Sequence, residues 1–196
     1  RYGLSSKDTT PAMINAVFNN LKLDQPKDHF TLGINDDIKY SSLDITEEID
    51  VIDPSTTELL FFGLGSDGTV GACKNISKIV GDYTDFYSQS YAAYDSKKSG
   101  GSTRLHLRFS KKPIRSTYLV NKPHFVSCSL DAYLEKFDMI DGLRDGGTFL
   151  LNTVVDADHI EERLPNKYKR LLAQKNAKFY IIAANAAARE CGFRPG

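Results

Sequence analysis

Residues 58–80 read ELLFFGLGSDGTVGACKNISKIV. Leu59 to Phe62 is a continuous apolar run of the kind found in a strand buried on both faces. A glycine-rich turn follows at once. Beyond it the apolar positions 70, 72, 73, 76, 79 and 80 recur at helical spacing, and Gly81-Asp82 supplies a stop signal. Strand, tight turn and helix therefore run in sequence.

Working outward, residues 86–94 (FYSQSYAAY) and 103–109 (TRLHLRF) alternate as strands do, with a flexible basic loop from Asp95 to Ser102 between them. Further strands are expected at Ser116 to Val120, Phe125 to Cys128, Gly147 to Asn152 and Lys178 to Ile182. Helices are expected at Asp131 to Lys136, His159 to Leu164, Lys167 to Lys175 and Asn185 to Cys191. Upstream, Thr9 to Leu23 combines a Thr cap, a proline in the first turn and helical apolar spacing, so an amphipathic helix opens the chain. Phe30 to Pro54 is polar and β-leaning, which predicts a short strand and an irregular connection. Alternating strands and helices give an α/β, Rossmann-like, mostly parallel sheet with helices on both faces, in one domain spanning residues 1–196.

The charge balance, 25 basic against 25 acidic side chains, provides no global field for nucleic acid or an anionic membrane. No apolar run approaches the roughly 20 residues that span a bilayer, and no secretory segment opens the chain, so a cytoplasmic location is expected. Cys73, Cys128 and Cys191 are too scattered for a disulfide framework or a thiolate cluster, and read as small hydrophobes. His29, His106, His124 and His159 show no i,i+4 pairing, so no metal site is expected. A start at Arg1 and an end at Gly196 directly after a helical stretch lead us to expect a piece of a longer polypeptide.

The turn Gly63-Leu64-Gly65-Ser66-Asp67-Gly68 fits G-x-G-x-x-G, in which glycines let backbone N–H groups approach a pyrophosphate at a helix N-terminus. The alternative is a plain strand-to-helix turn whose glycines only permit close packing. A dinucleotide site places an acidic residue about 20 positions on, and Asp95 stands at the end of the following strand. Lys97 and Lys98 beside it suit an extra phosphate on the ribose, as in NADP or coenzyme A, and read equally as a solvated loop. Asp67 has the position of a cap as much as of a ligand contact, and Ser66 is similar. His106 reads as a packed sheet residue. No nucleophile, base and orienting acid come together, so no catalytic residue is assigned.

Several separated segments resemble one known family: residues 1–8 (RYGLSSKD), 62–71 (FGLGSDGTVG), 94–101 (YDSKKSGG), 106–109 (HLRF), 112–120 (KPIRSTYLV) and 146–152 (GGTFLLN). They are similar to the gamma-type domain of the pyruvate:ferredoxin (or flavodoxin) oxidoreductases, a 2-oxoacid oxidoreductase family. The likeness covers nearly the whole chain and is loosest between Leu32 and Thr57; Val154 to Glu162 departs from the family pattern. It implies a domain of a larger enzyme that cleaves pyruvate oxidatively to acetyl-CoA and passes electrons to ferredoxin or flavodoxin. Thiamine diphosphate and 4Fe-4S clusters would lie on other domains of that enzyme, a homodimer. To this domain the resemblance assigns part of a coenzyme A site, on Ser66, Asp67, Gly68, Thr69, Val70 and Lys98. A family motif beyond residue 196 would complete that site, so the isolated domain is expected to bind weakly and to be inactive. Competing readings are the related domain of a pyruvate:NADP oxidoreductase or a sulfite reductase subunit, and a scaffold domain with an empty turn.

Overall fold

The computed structural model describes residues 8–36, 38–65, 67–94 and 102–193. The chain divides into two compact units, one of Arg1–Asp53 with Arg115–Leu119, the other of Pro54–Ile114 with Val120–Gly196. No helix of the described residues is long and apolar enough to cross a membrane.

In the first unit α1 (Pro11–Asn20) starts where the sequence signals it, with Pro11 in the first turn and the Thr10 hydroxyl accepting from Met13 N. Its last residue, Asn20, is buried because its amide both donates to Lys27 O (2.9 Å) and accepts from Lys27 N (3.0 Å). The short strand expected between Phe30 and Pro54 is reduced to one bridge, Thr31 to Ser42. The expected strand from Ser116 to Val120 does not form. Val120 spends its backbone donor on the ring nitrogen Nδ1 of His106, where a strand would place it in a ladder.

The second unit holds a six-stranded sheet built from β1 (Thr56–Leu64), β2 (Tyr87–Tyr94), β3 (Ser102–Ser110), β4 (Phe125–Cys128), β5 (Thr148–Asn152) and β6 (Lys178–Ile182). Its order is β2-β3-β1-β4-β5-β6. β1, β4, β5 and β6 are successively parallel, whereas β3 runs antiparallel to both β1 and β2. Five strands thus point one way and β3 alone opposes them, so the sheet is mostly parallel as expected.

Each face of β1 meets a different cover, as its uninterrupted apolar run requires. Leu60 and Phe62 join Val126, Cys128, Phe149 and Leu151 in a core closed by a 3₁₀ segment (Asp131–Glu135), α3 (Ile160–Arg163) and α4 (Asn166–Gln174), with Tyr168 fully buried. Leu59 and Phe61 belong to a smaller core with Leu105 and Leu107, covered by Val70, Cys73 and Ile76 of α2 (Thr69–Tyr83). The helix α2 does not stop at Gly81-Asp82. It runs on to Tyr83 and is capped by Thr84 in extended conformation, whose N–H donates to Val80 O. Gly81 is not among the glycines with positive φ, so it continues the helix where the sequence suggested a stop. A last helix, α5 (Ala184–Glu190), follows β6.

Inside the first core's face lies a charged row set by strand register, where Glu58, Arg108 and Gln89 stand opposite one another on β1, β3 and β2. Arg108 donates to Glu58 Oε1 (2.9 Å) and to Gln89 (3.0 Å), and Arg144 approaches Glu58 Oε2 at 3.5 Å. Both the Glu58 and Arg108 side chains are 4% exposed. Removing Arg108 leaves the buried Glu58 carboxylate with the longer Arg144 contact, a loss toward the low end of the about 3–5 kcal/mol for breaking a buried pair. Arg108→Met is therefore expected to lower the unfolding free energy by that amount in denaturant titration. Lys167→Ala, which breaks exposed contacts to Asp138 and Asp141, should cost under about 1 kcal/mol. Equal losses in the two variants would contradict this ranking.

Candidate functional site

The chain leaving β1 passes through α2 on one face of the sheet, while the chain leaving the adjacent β4 passes through the 3₁₀ segment on the other. Neighbouring parallel strands whose connections depart in opposite directions form a topological switch point, with a crevice at their carboxyl ends. The glycine-rich turn, from the end of β1 to the start of α2, stands at that crevice.

Asp67 organises the turn. Its Oδ2 accepts from Leu64 N (2.8 Å) before the turn, and its Oδ1 accepts from Thr69 N (2.8 Å) at the first helical position. The Ser129 hydroxyl, one residue past β4, donates to Oδ2 at 2.7 Å. Partial burial works against ionisation of this carboxyl, but the hydrogen bonds from Ser129, Thr69 and Leu64 outweigh it and hold the pKa below the ordinary aspartate value. Two glycines are set by geometry. A Cβ on Gly63 would lie 2.5 Å from Thr69 Oγ1, so the strand end and helix start can approach this closely only without one. Gly68, the N-cap, has φ +85°, a left-handed conformation, and the space a Cβ would enter is open.

Of the residues singled out from sequence, Asp67, Gly68, Thr69 and Val70 are brought together at the N-terminus of α2. Ser66 and Lys98, with Asp95 and Lys97, lie outside the described residues. The N–H groups of Val70 and Gly71 in the first helical turn have no acceptor among the described residues. The Asp67 carboxylate already serves the donors of Leu64 and Thr69, so its role within the turn is to hold the two ends of the loop together.

Two residues at the crevice were missed in the sequence. Ser129 N donates to Phe62 O (2.9 Å), extending the β1–β4 ladder and placing its hydroxyl against Asp67. Asn152, at the end of β5, donates through Nδ2 to Ser129 O (3.0 Å) and accepts at Oδ1 from Ala184 N (2.9 Å). The signal available was a polar residue at the carboxyl end of each of two predicted strands, which is where open α/β sheets place their ligand-side residues.

His106 sits in mid-sheet, paired with Leu60 and Tyr91, and its Nδ1 accepts from Val120 N. Burial, helped by the charges of Arg104 and Arg108, pushes its pKa down to about 4, so the ring is neutral at pH 7. Cys73 and Cys128 are buried and Cys191 is exposed, all three as free thiols. Burial raises the Cys73 thiol to about 12 and Cys128 to about 11, which keeps both protonated. No group of three or more metal-ligating side chains occurs among the described residues.

The pyruvate ferredoxin/flavodoxin oxidoreductase family model matches residues 58–196. A pyruvate-flavodoxin oxidoreductase of Trichormus variabilis is 51% identical over 98% of the chain, which spans 16% of that relative's length. Among solved structures, a pyruvate oxidoreductase subunit from Thermotoga maritima aligns with a TM-score of 0.54 at 19% identity, covering 72% of this chain and 70% of that one. The 2-oxoglutarate:ferredoxin oxidoreductase of Magnetococcus marinus aligns with a TM-score of 0.50 at 13% identity, covering 72% of this chain and 22% of its own.

The turn's own chemistry gives an acid-side prediction. Because the folded-state pKa of Asp67 is lowered, its contribution to stability is fully present above the ordinary value of 3.8 and is lost as pH falls from there through the lowered folded value. Asp67→Asn should therefore flatten the decline of unfolding free energy with pH below about 4. Denaturant titrations at pH 2.5 to 7 measure this, and an unchanged slope would show that the carboxylate gains nothing from its partners. Gly63→Ala should cost about 1–3 kcal/mol through the contact with Thr69.

Proposed function

The chain belongs to the pyruvate ferredoxin/flavodoxin oxidoreductase family, and we propose that its glycine-rich turn supplies part of a coenzyme A site in such an enzyme. The observation that carries the reading is the turn's place: the N-terminus of the 15-residue helix α2 opens onto the switch-point crevice with the Val70 and Gly71 N–H groups unused. Those donors and the positive end of the helix would take the pyrophosphate. Gly68 leaves the approach open. Lys98 would meet a phosphate of the nucleotide as a point charge. The Magnetococcus protein that shares this fold was solved with coenzyme A and succinyl-CoA bound.

The parent activity in this reading is oxidative decarboxylation of pyruvate to acetyl-CoA, with ferredoxin or flavodoxin as electron partner. Thiamine diphosphate and iron–sulfur clusters would be held by other domains; among the described residues no group of three or more metal-ligating side chains comes together. The enzyme would be cytoplasmic and a homodimer. What this chain contributes is binding and orientation. Backbone donors at the start of α2 would fix the pyrophosphate. Nothing in the geometry favours the NADP-linked or sulfite-reducing relatives over this assignment.

The test is steady-state kinetics of the intact enzyme. Lys98→Ala removes a charge-assisted hydrogen bond worth about 1.5–3 kcal/mol, so the Michaelis constant for coenzyme A should rise roughly tenfold to hundredfold. Gly68→Val should raise the same constant, since the β-carbon enters the open space before the turn and the backbone there is left-handed. The constant for pyruvate should stay near normal in both. Unchanged coenzyme A dependence in two folded variants would leave the turn a structural element and the domain a scaffold.

A further inference from the structure

Five hydrogen bonds run from the turn across the carboxyl edge of the sheet. Asp67 takes Leu64 N and Thr69 N, Ser129 Oγ donates to Asp67, Asn152 Nδ2 donates to Ser129 O, and Ala184 N donates to Asn152 Oδ1. A serine hydroxyl has one proton, and Ser129 gives it to the carboxylate at 2.7 Å. The orientation of the Asn152 amide is determined by its partners, a carbonyl on one side and an N–H on the other. The ends of β1, β4 and β5 and the start of α5 are thereby tied into one line, with the ligand-side turn at its end.

We propose that Ser129 and Asn152 are positioning residues for the turn: they fix the Asp67 carboxylate so that it closes the loop ends at Leu64 and Thr69 and leaves the next helical donors, Val70 and Gly71, free for an anionic ligand. Without the Ser129 hydroxyl, Asp67 keeps only partners within its own turn, Leu64 and Thr69. It can then rotate toward the helix N-terminus, where its negative charge competes with the ligand for Val70 and Gly71 N–H. With the hydroxyl in place, the carboxylate is held on the β4 side. Asn152 supports this at one remove, by holding the Ser129 backbone in place. The ligand's identity rests on the coenzyme A reading; the positioning role does not.

The experiment is amide hydrogen exchange over residues 63–72 of the intact protein, paired with calorimetric titration of coenzyme A. In Ser129→Ala, exchange at Leu64 and Thr69 should quicken about fivefold, the factor for one lost hydrogen bond, with mid-sheet residues such as Phe61 and Val126 unchanged. The dissociation constant for coenzyme A should rise by a similar factor while kcat at saturating coenzyme stays near wild type. Ser129→Thr, which keeps the hydroxyl, should restore both. Asn152→Asp, which keeps the Ala184 acceptor and loses the donor to Ser129, should quicken turn exchange even where Ser129→Ala yields no folded protein. Wild-type exchange at Leu64 and Thr69 in these variants would overturn the proposal. Should the wild-type protein bind no coenzyme A while Ser129→Ala still quickens exchange, the positioning role stands and the coenzyme reading falls.

Discussion

A strand that passes directly into a helix leaves backbone donors on either side of the turn without ladder or helical acceptors, and they must find one. Here one carboxylate answers at both ends, with Asp67 accepting from Leu64 and Thr69. Its shortness fixes how tightly the turn closes. Gly63 must then lack a side chain, because Thr69 is drawn against it, and Gly68 must adopt a positive φ. The open geometry at the start of α2 depends on this closure.

The sheet supplies the frame. Because β1 is covered by α2 on one face and by the 3₁₀ segment, α3 and α4 on the other, its end is held on both sides and the turn cannot drift toward either layer. Burial of Phe62, Cys128 and Leu151 just below the crevice anchors the three strand ends that carry the hydrogen-bonded line. At the opposite end of β1, Glu58 and Arg108 fix the register of β1 on β3 by pairing in a dry setting, where a slip of one residue would separate them.

The apolar run at Leu59 to Phe62 and the helical stripe after it are backbone-scale patterns, so strand, turn and helix were legible, as were all six strands of the sheet. Strand direction was not, since alternation in residues 103–109 is the same read either way, and the reversal of β3 comes from the short return after β2. Gly81 misled because a glycine ends a helix where the chain takes positive φ, and this one does not. The turn glycines and Asp67 could be named from spacing alone. Ser129 and Asn152 could not, because each looks like an ordinary residue at a strand end until β1, β4 and β5 lie side by side.

A crystal structure of the intact protein with coenzyme A would show whether the turn at the switch point holds the pyrophosphate, as proposed. The expected result is a pyrophosphate oxygen within about 3.2 Å of the Val70 or Gly71 nitrogen, with the Asp67 bonds to Leu64, Thr69 and Ser129 intact. Coenzyme A bound with its pyrophosphate elsewhere, the turn left empty, would contradict it.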